Sequence, residues 1–160
     1  KASVLTSFVT FIDASAAKMR NIDAGFSVAI PHFYDSAQKW TPSITYNGKN
    51  VYAFTQLLNV LQQKHGSTLI IMSYRNFFNG SDGIQELSTP ELTDSSNPAY
   101  STKVIIAQET GNVSPSYVTY YSKSKADYLS TVNTIYSKFG DFASFEGVAT
   151  NYLDPFLQLH

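Results

Sequence analysis

Apolar residues recur along this chain at two periods, and the places where the period changes mark out its elements. Val4, Leu5, Phe8, Val9, Ile12, Ala16 and Met19 fall three and four apart, which predicts an opening amphipathic helix. The run "GFSVAIP" (25–31) is short, continuously apolar and stopped by Pro31, the signature of a buried strand. A loop follows through Trp40 and Pro42 to the turn signal Asn47-Gly48. Val51, Phe54, Leu57, Leu58 and Leu61 then predict a second helix closed by Gly66, and "STLIIMSYRN" (67–76) a second strand. Thr89-Pro90-Glu91 reads as the start of a short third helix, with Thr in the capping position and Pro in the first turn. "KVIIAQE" (103–109) is the third strand. Tyr128, Leu129, Val132, Ile135, Tyr136 and Phe139 give the clearest helix, from about Ser124 to Gly140. "FEGVAT" (145–150) is the fourth strand, and "LDPFLQL" opens a last helix.

The order is α-β-α-β-α-β-α-β, with strands roughly 35 to 43 residues apart. Continuously apolar strands alternating with helices predict an α/β fold with a parallel sheet covered by helices. The chain opens on a helix and carries neither G-x-G-x-x-G nor a Walker loop, which argues against a complete flavodoxin-like domain. A closed eight-stranded barrel needs about 250 residues, so this chain matches the C-terminal half of a (β/α)₈ barrel. Residues 1–160 are read as a single domain or domain fragment, βα units 5 to 8.

Composition narrows the chemistry. Charged residues are 14% of the chain and the net charge is −1, without the clustered Lys/Arg that a nucleic-acid partner requires. No apolar run approaches the length of a membrane span, and the N-terminal residues are too interrupted by polar positions for a signal peptide. The absence of cysteine excludes disulfides and thiolate chemistry. His32, His65 and His160 lack metal-ligand spacing, and no G-x-S-x-G elbow occurs. Asn79-Gly-Ser and Asn112-Val-Ser match glycosylation sequons. Eleven tyrosines among many Ser, Thr and Asn suit a surface for neutral polar ligands, or equally a Tyr-rich core under a polar shell.

At the strand ends stand "IPHFYD" (30–35), "LIIMSYRN" (69–76), "VIIAQETG" (104–111) and "FEGVATNYLDPF" (145–156). Taken in this order, they are similar to the last four βα units of glycoside-hydrolase-like TIM barrels, most of all to secreted microbial barrels with an "MxYR" strand end followed by an "ET" strand end. The resemblance covers most of the chain. It implies carbohydrate recognition, no organic cofactor and a secreted or cell-surface location. It also implies a glutamate from the seventh barrel strand, here Glu109, acting with an acid from a fourth strand outside this chain.

Strand alternation predicts that Ile105, Ala107 and Glu109 face the barrel interior while Val104, Ile106 and Gln108 face the helices. The same reading turns Ser73 and Arg75 inward, so that Arg75 lies beside Glu109 and favours its charged form. Three roles stay open for Glu109: catalysis, ligand binding without chemistry, or a structural pair with Arg75. Tyr74, Asn151, Tyr152, Asp154, His32, Tyr34 and Asp35 are candidate ligand contacts from the other strand ends. Trp40 is either a stacking platform or the anchor of its loop. A non-catalytic binding or surface protein on the same scaffold is the rival function. The two open sheet edges of such a half-barrel predict self-association.

Overall fold

The structure is a computed structural model, and it describes residues 1–35, 41–62 and 67–160. Trp40 and the Gly66 expected to close the second helix lie outside the described residues. Four strands, β1 (Ser27–Pro31), β4 (Thr68–Met72), β5 (Lys103–Glu109) and β6 (Phe145–Asn151), form one parallel sheet in the order β1-β4-β5-β6. Helices alternate with them: α1 (Ala2–Arg20), α2 (Ala53–Leu61), α3 (Ile84–Ser95), α4 (Lys125–Phe139) and α5 (Leu153–Gln158). The α/β class and the sequential parallel sheet agree with the apolar pattern.

One face of the sheet carries the core. Its register sets Val28, Leu69 and Val104 in one row, and Ile30, Ile71, Ile106 and Val148 in the next. These side chains join Leu5, Val9, Ile12 and Ala16 of α1, Phe54, Leu57, Leu58 and Leu61 of α2, Leu92 of α3, and Ile135 and Phe139 of α4. Spacings of three and four in each helix bring that apolar stripe onto the sheet, while Val4 and Phe11 of α1 stay in solvent. The other face is lined by Ser27, Ala29, Thr68, Ile70, Met72 and Ile105, all exposed or half-buried.

Local chemistry fixes the start of α4. The Ser124 hydroxyl accepts from Asp127 N–H (3.0 Å), and the Asp127 carboxylate accepts from Ser124 N–H (3.2 Å), a reciprocal capping box. The Ser124 side-chain hydrogen bond, followed by the one from its backbone, holds the Asp127 carboxyl below its usual range.

Three expectations need correction. The region around Asn47-Gly48 is an antiparallel hairpin, β2 (Ile44–Tyr46) with β3 (Lys49–Val51), so Val51 ends a strand and does not begin α2. Asn47 (φ 47°) and Gly48 (φ 76°) both take positive φ, the backbone that closes a two-residue hairpin with the right twist. Helix α3 starts at Ile84, six residues before Pro90, which sits inside it. Its first amides are satisfied from the preceding loop, Ile84 N–H by Phe77 C=O and Gln85 N–H by Phe78 C=O. Ser73 points into the helical layer, where its hydroxyl accepts from Ser88 (2.7 Å). β4 ends at Met72, the Ser73 N–H turns back to Ile71 C=O, and Tyr74 lies toward Glu109 and Asn151 at the end of the open face.

One irregularity aligns the strand ends. Val104 pairs with Phe145, but Ile105 pairs with Gly147, so β6 carries an extra residue at Glu146. Gly147 there has φ 154°, and a Cβ would meet the Tyr136 hydroxyl at 3.0 Å. An unbroken register would set Thr150 beside Glu109; the bulge sets Asn151 there instead.

Candidate functional site

Glu109 ends β5 on the open face and is only 3% exposed. A buried carboxylate needs donors on both oxygens, and this one has them. Oε1 accepts from Gly111 N–H at 2.5 Å, and Oε2 accepts from Asn151 Nδ2 at 2.7 Å. The first donor comes from the turn two residues on, and the second from the strand neighbour that the bulge brings alongside.

A side chain at 111 would force its neighbours to shift. A Cβ there would lie 2.9 Å from Glu109 Oε1 and 2.9 Å from Cδ2 of Tyr152, whose ring packs over it. Thr110 joins the two strand ends: its N–H donates to Asn151 C=O (2.5 Å) and its hydroxyl to Tyr152 C=O (2.7 Å). The Asn151–Tyr152 peptide is cis. Behind the strand end, Tyr120 and Tyr128 pack edge to face at 5.1 Å, and Tyr120 N–H donates to Glu109 C=O. Burial pushes the Tyr120 phenol up to about 12.

Tyr74 completes the cluster. It is half-buried, and burial, then the negative charge of Glu109, hold its phenol above the ordinary range; Asn151 opposes them by hydrogen bonding. Tyr152, 57% exposed, stands at the rim. Sequence reasoning thus named Glu109, Tyr74, Asn151 and Tyr152, and the fold gathers them.

Arg75 does not do what alternation predicted. It lies beyond the end of β4, and its Nε and Nη2 grip the Asp82 carboxylate at 2.9 and 2.5 Å. Nη1 donates to Tyr74 C=O, and the guanidinium lies 5.3 Å from the Tyr117 ring centroid. The Glu109 carboxylate is therefore held by uncharged N–H donors. Arg75 works instead with Asn76, whose N–H donates to Tyr117 C=O and whose Nδ2 donates to Ser116 C=O and Thr119 C=O, to fasten the loop after Gly111.

The remaining candidates have other surroundings. Asp154 is exposed in the first turn of α5. Tyr34 packs edge to face on Phe8 of α1 at 6.1 Å. His32 sets Nδ1 3.3 Å from Met72 C=O, and burial lowers its pKa. With Asp35, Phe33 and Glu86 it lines a separate cleft against α3. A second cleft lies between α1 and the hairpin, but its polar groups already satisfy one another: Tyr46 donates to Asp13 (2.8 Å), and Gln56 Nε2 to Lys49 C=O (2.8 Å).

Sequence reading missed Thr110, Gly111, Asn76 and the bulge at Gly147. Thr110 and Gly111 follow Glu109 directly, and a carboxylate two residues before a turn amide was the available signal. Nothing local to Asn76 foretold a partner forty residues away.

Among the described residues, no group of three His, Asp or Glu side chains could hold a metal ion, and no helix is long and apolar enough to cross a membrane. Comparison with protein-family models, with curated proteins and with solved structures gives no match.

Proposed function

We propose that the chain is the C-terminal half of a glycoside-hydrolase-like (β/α)₈ barrel and that it recognises carbohydrate through the Glu109 cluster. The observation that carries this reading is a carboxylate bound by two N–H donors at the C-terminal ends of parallel strands. Beside it lie one partly buried and one exposed tyrosine. Barrel enzymes build their sites at that end, from residues on successive strands. A tyrosine face stacks on a sugar ring, and the Tyr74 hydroxyl and Asn151 amide suit ring hydroxyls. The chemistry calls for no organic cofactor.

Recognition without cleavage is the form we favour for this chain. Glycoside hydrolysis generally uses two carboxyl groups about 5–10 Å apart across the scissile bond. At the C-terminal ends of the described strands, Glu109 is the one acidic side chain, since Glu146 lies near the opposite end of β6. O-glycosyl hydrolysis would need a second acid from elsewhere in an intact protein. A secreted or cell-surface location accords with this reading.

The experiment is affinity electrophoresis of the 160-residue chain against a panel of neutral glucans, xylans and chitin oligomers. Saturable retardation by one polysaccharide class is expected. Unchanged mobility across the panel would remove the carbohydrate reading.

The half-barrel also has open strand edges at β1 and β6 and a half-exposed apolar face, features that favour pairing with a second copy. Sedimentation equilibrium should then report a dimer at tens of micromolar. A monomer throughout that range would contradict self-association.

A further inference from the structure

The Glu109 carboxylate keeps its orientation only while the Gly111 amide keeps its own. Glycine has no Cβ to restrict its backbone, so the two peptide units that meet at Gly111 need holding from outside. On one side Thr110 does this, with its N–H on Asn151 C=O and its hydroxyl on Tyr152 C=O. On the other side Gly111 C=O accepts from Val113 N–H (2.9 Å) and from the Thr119 hydroxyl (2.6 Å). Val113 belongs to the same exposed turn, whereas Thr119 is eight residues on and 2% exposed.

Thr119 is itself held. Its hydroxyl oxygen accepts from Tyr121 N–H (3.1 Å) while its proton goes to Gly111, and its C=O accepts from Asn76 Nδ2 (2.9 Å). The same Asn76 amide donates to Ser116 C=O, and the Asn76 N–H donates to Tyr117 C=O. Asn76 follows Tyr74 by two residues, and Arg75 between them donates to Tyr74 C=O. Hydrogen bonds therefore run from the segment that carries Tyr74, through Asn76, Thr119 and Gly111, to Glu109 Oε1. The three links measure 2.9, 2.6 and 2.5 Å.

We propose that Thr119, fixed by Asn76, is a positioning residue for the Glu109 site. Its hydroxyl holds the Gly111 peptide so that the amide stays on Oε1 and the carboxylate turns its remaining lone pairs toward a ligand. Its part in sugar recognition rests on the function proposed above; its part in placing Gly111 does not. Gly111 and Asn151 each use one lone pair of the carboxylate, and the others stay free to accept from hydroxyls. Without the donor on Oε1 the carboxyl group would turn more freely, and a ligand would have to order it on binding. A threonine that only shaped its own turn, through Tyr121 N–H, would leave Gly111 where it is.

The ¹H–¹⁵N spectrum of the whole chain tests this in Thr119→Val, which keeps the outline and removes the hydroxyl, and in Thr119→Ser, which restores it. In Thr119→Val the Gly111 amide proton should move upfield, away from the position set by a bond to a carboxylate, and exchange with solvent roughly tenfold faster. In Thr119→Ser it should return toward its wild-type position. Should Thr119→Val fold poorly, Asn76→Ala should move the same proton in the same direction. This readout needs no sugar, so it holds or fails apart from the carbohydrate reading. Toward the polysaccharide that retards the wild type, Thr119→Val should bind roughly threefold to tenfold more weakly, the loss of about one neutral hydrogen bond. A Gly111 proton that stays in place in Thr119→Val and Asn76→Ala would overturn the proposal. So would equal affinity of Thr119→Val and the wild type, or no recovery in Thr119→Ser.

Discussion

Replacing Phe54 by alanine should lower the unfolding free energy by about 3–5 kcal/mol, the range for removing a fully buried aromatic side chain. Phe54 has no exposed surface, and its ring lies in the cluster that ties α1 and α2 to β1, β4 and β5. The cost combines lost transfer free energy with a cavity that the close-packed surroundings only partly refill. For comparison, Val4→Ala on the exposed side of α1 should shift stability by no more than about 0.5 kcal/mol. Urea denaturation followed by circular dichroism measures both. A Phe54→Ala loss under about 1 kcal/mol would mean that α2 is not packed on the sheet as described.

The second large effect belongs to Glu109→Gln. Both oxygens of Glu109 accept from N–H groups, one on Gly111 and one on Asn151. An amide in its place can turn only one oxygen toward them, so its own N–H₂ would confront the other donor. Leaving a buried donor unpaired costs about 1–3 kcal/mol, and urea denaturation should register it. The site should suffer separately. Losing a hydrogen bond to a charged group, about 1.5–3 kcal/mol, corresponds to a roughly tenfold to hundredfold loss of affinity for the retained polysaccharide. Asn151→Ala should weaken binding too. Because Glu109 and Asn151 are in direct contact, the double variant should lose less than the sum of the single ones. Full retention of affinity in Glu109→Gln would take the carboxylate out of recognition.

How much of this could be read from the sequence depended on how locally each feature is encoded. Helix α4 was legible because its apolar residues repeat at three and four and Ser124 marks its start chemically. The four parallel strands were legible because each is a continuous apolar run. The facing of β4 was not, since Leu69 and Ile71 on one side and Ile70 and Met72 on the other are all apolar and set no phase. That ambiguity turned Ser73 and Arg75 the wrong way and hid the ion pair of Arg75 with Asp82. Strands of three residues, such as Ile44–Tyr46, are too short for alternation to declare itself, so only their Asn47-Gly48 turn showed. The pairing of Glu109 with Asn151 depends on an extra residue at Glu146, in a different strand, a matter of register that no local pattern states. The sequence placed Glu91 only in the helix start Thr89-Pro90-Glu91. Its burial follows from α3 starting at Ile84, which sets the rotation that turns Ser88, Glu91 and Ser95 inward.

The central claim is that sugar is recognised at the C-terminal ends of β4, β5 and β6. The most direct measurement is ¹H–¹⁵N chemical-shift mapping while the polysaccharide's soluble oligomer is titrated into the whole chain. The account predicts that the largest saturable shifts fall on the Gly111 amide, the Asn151 side-chain amide and the backbone of Tyr152 and Tyr74. Shifts centred instead on the cleft of His32, Asp35 and Glu86, or no saturable shift at Gly111 and Asn151, would contradict it.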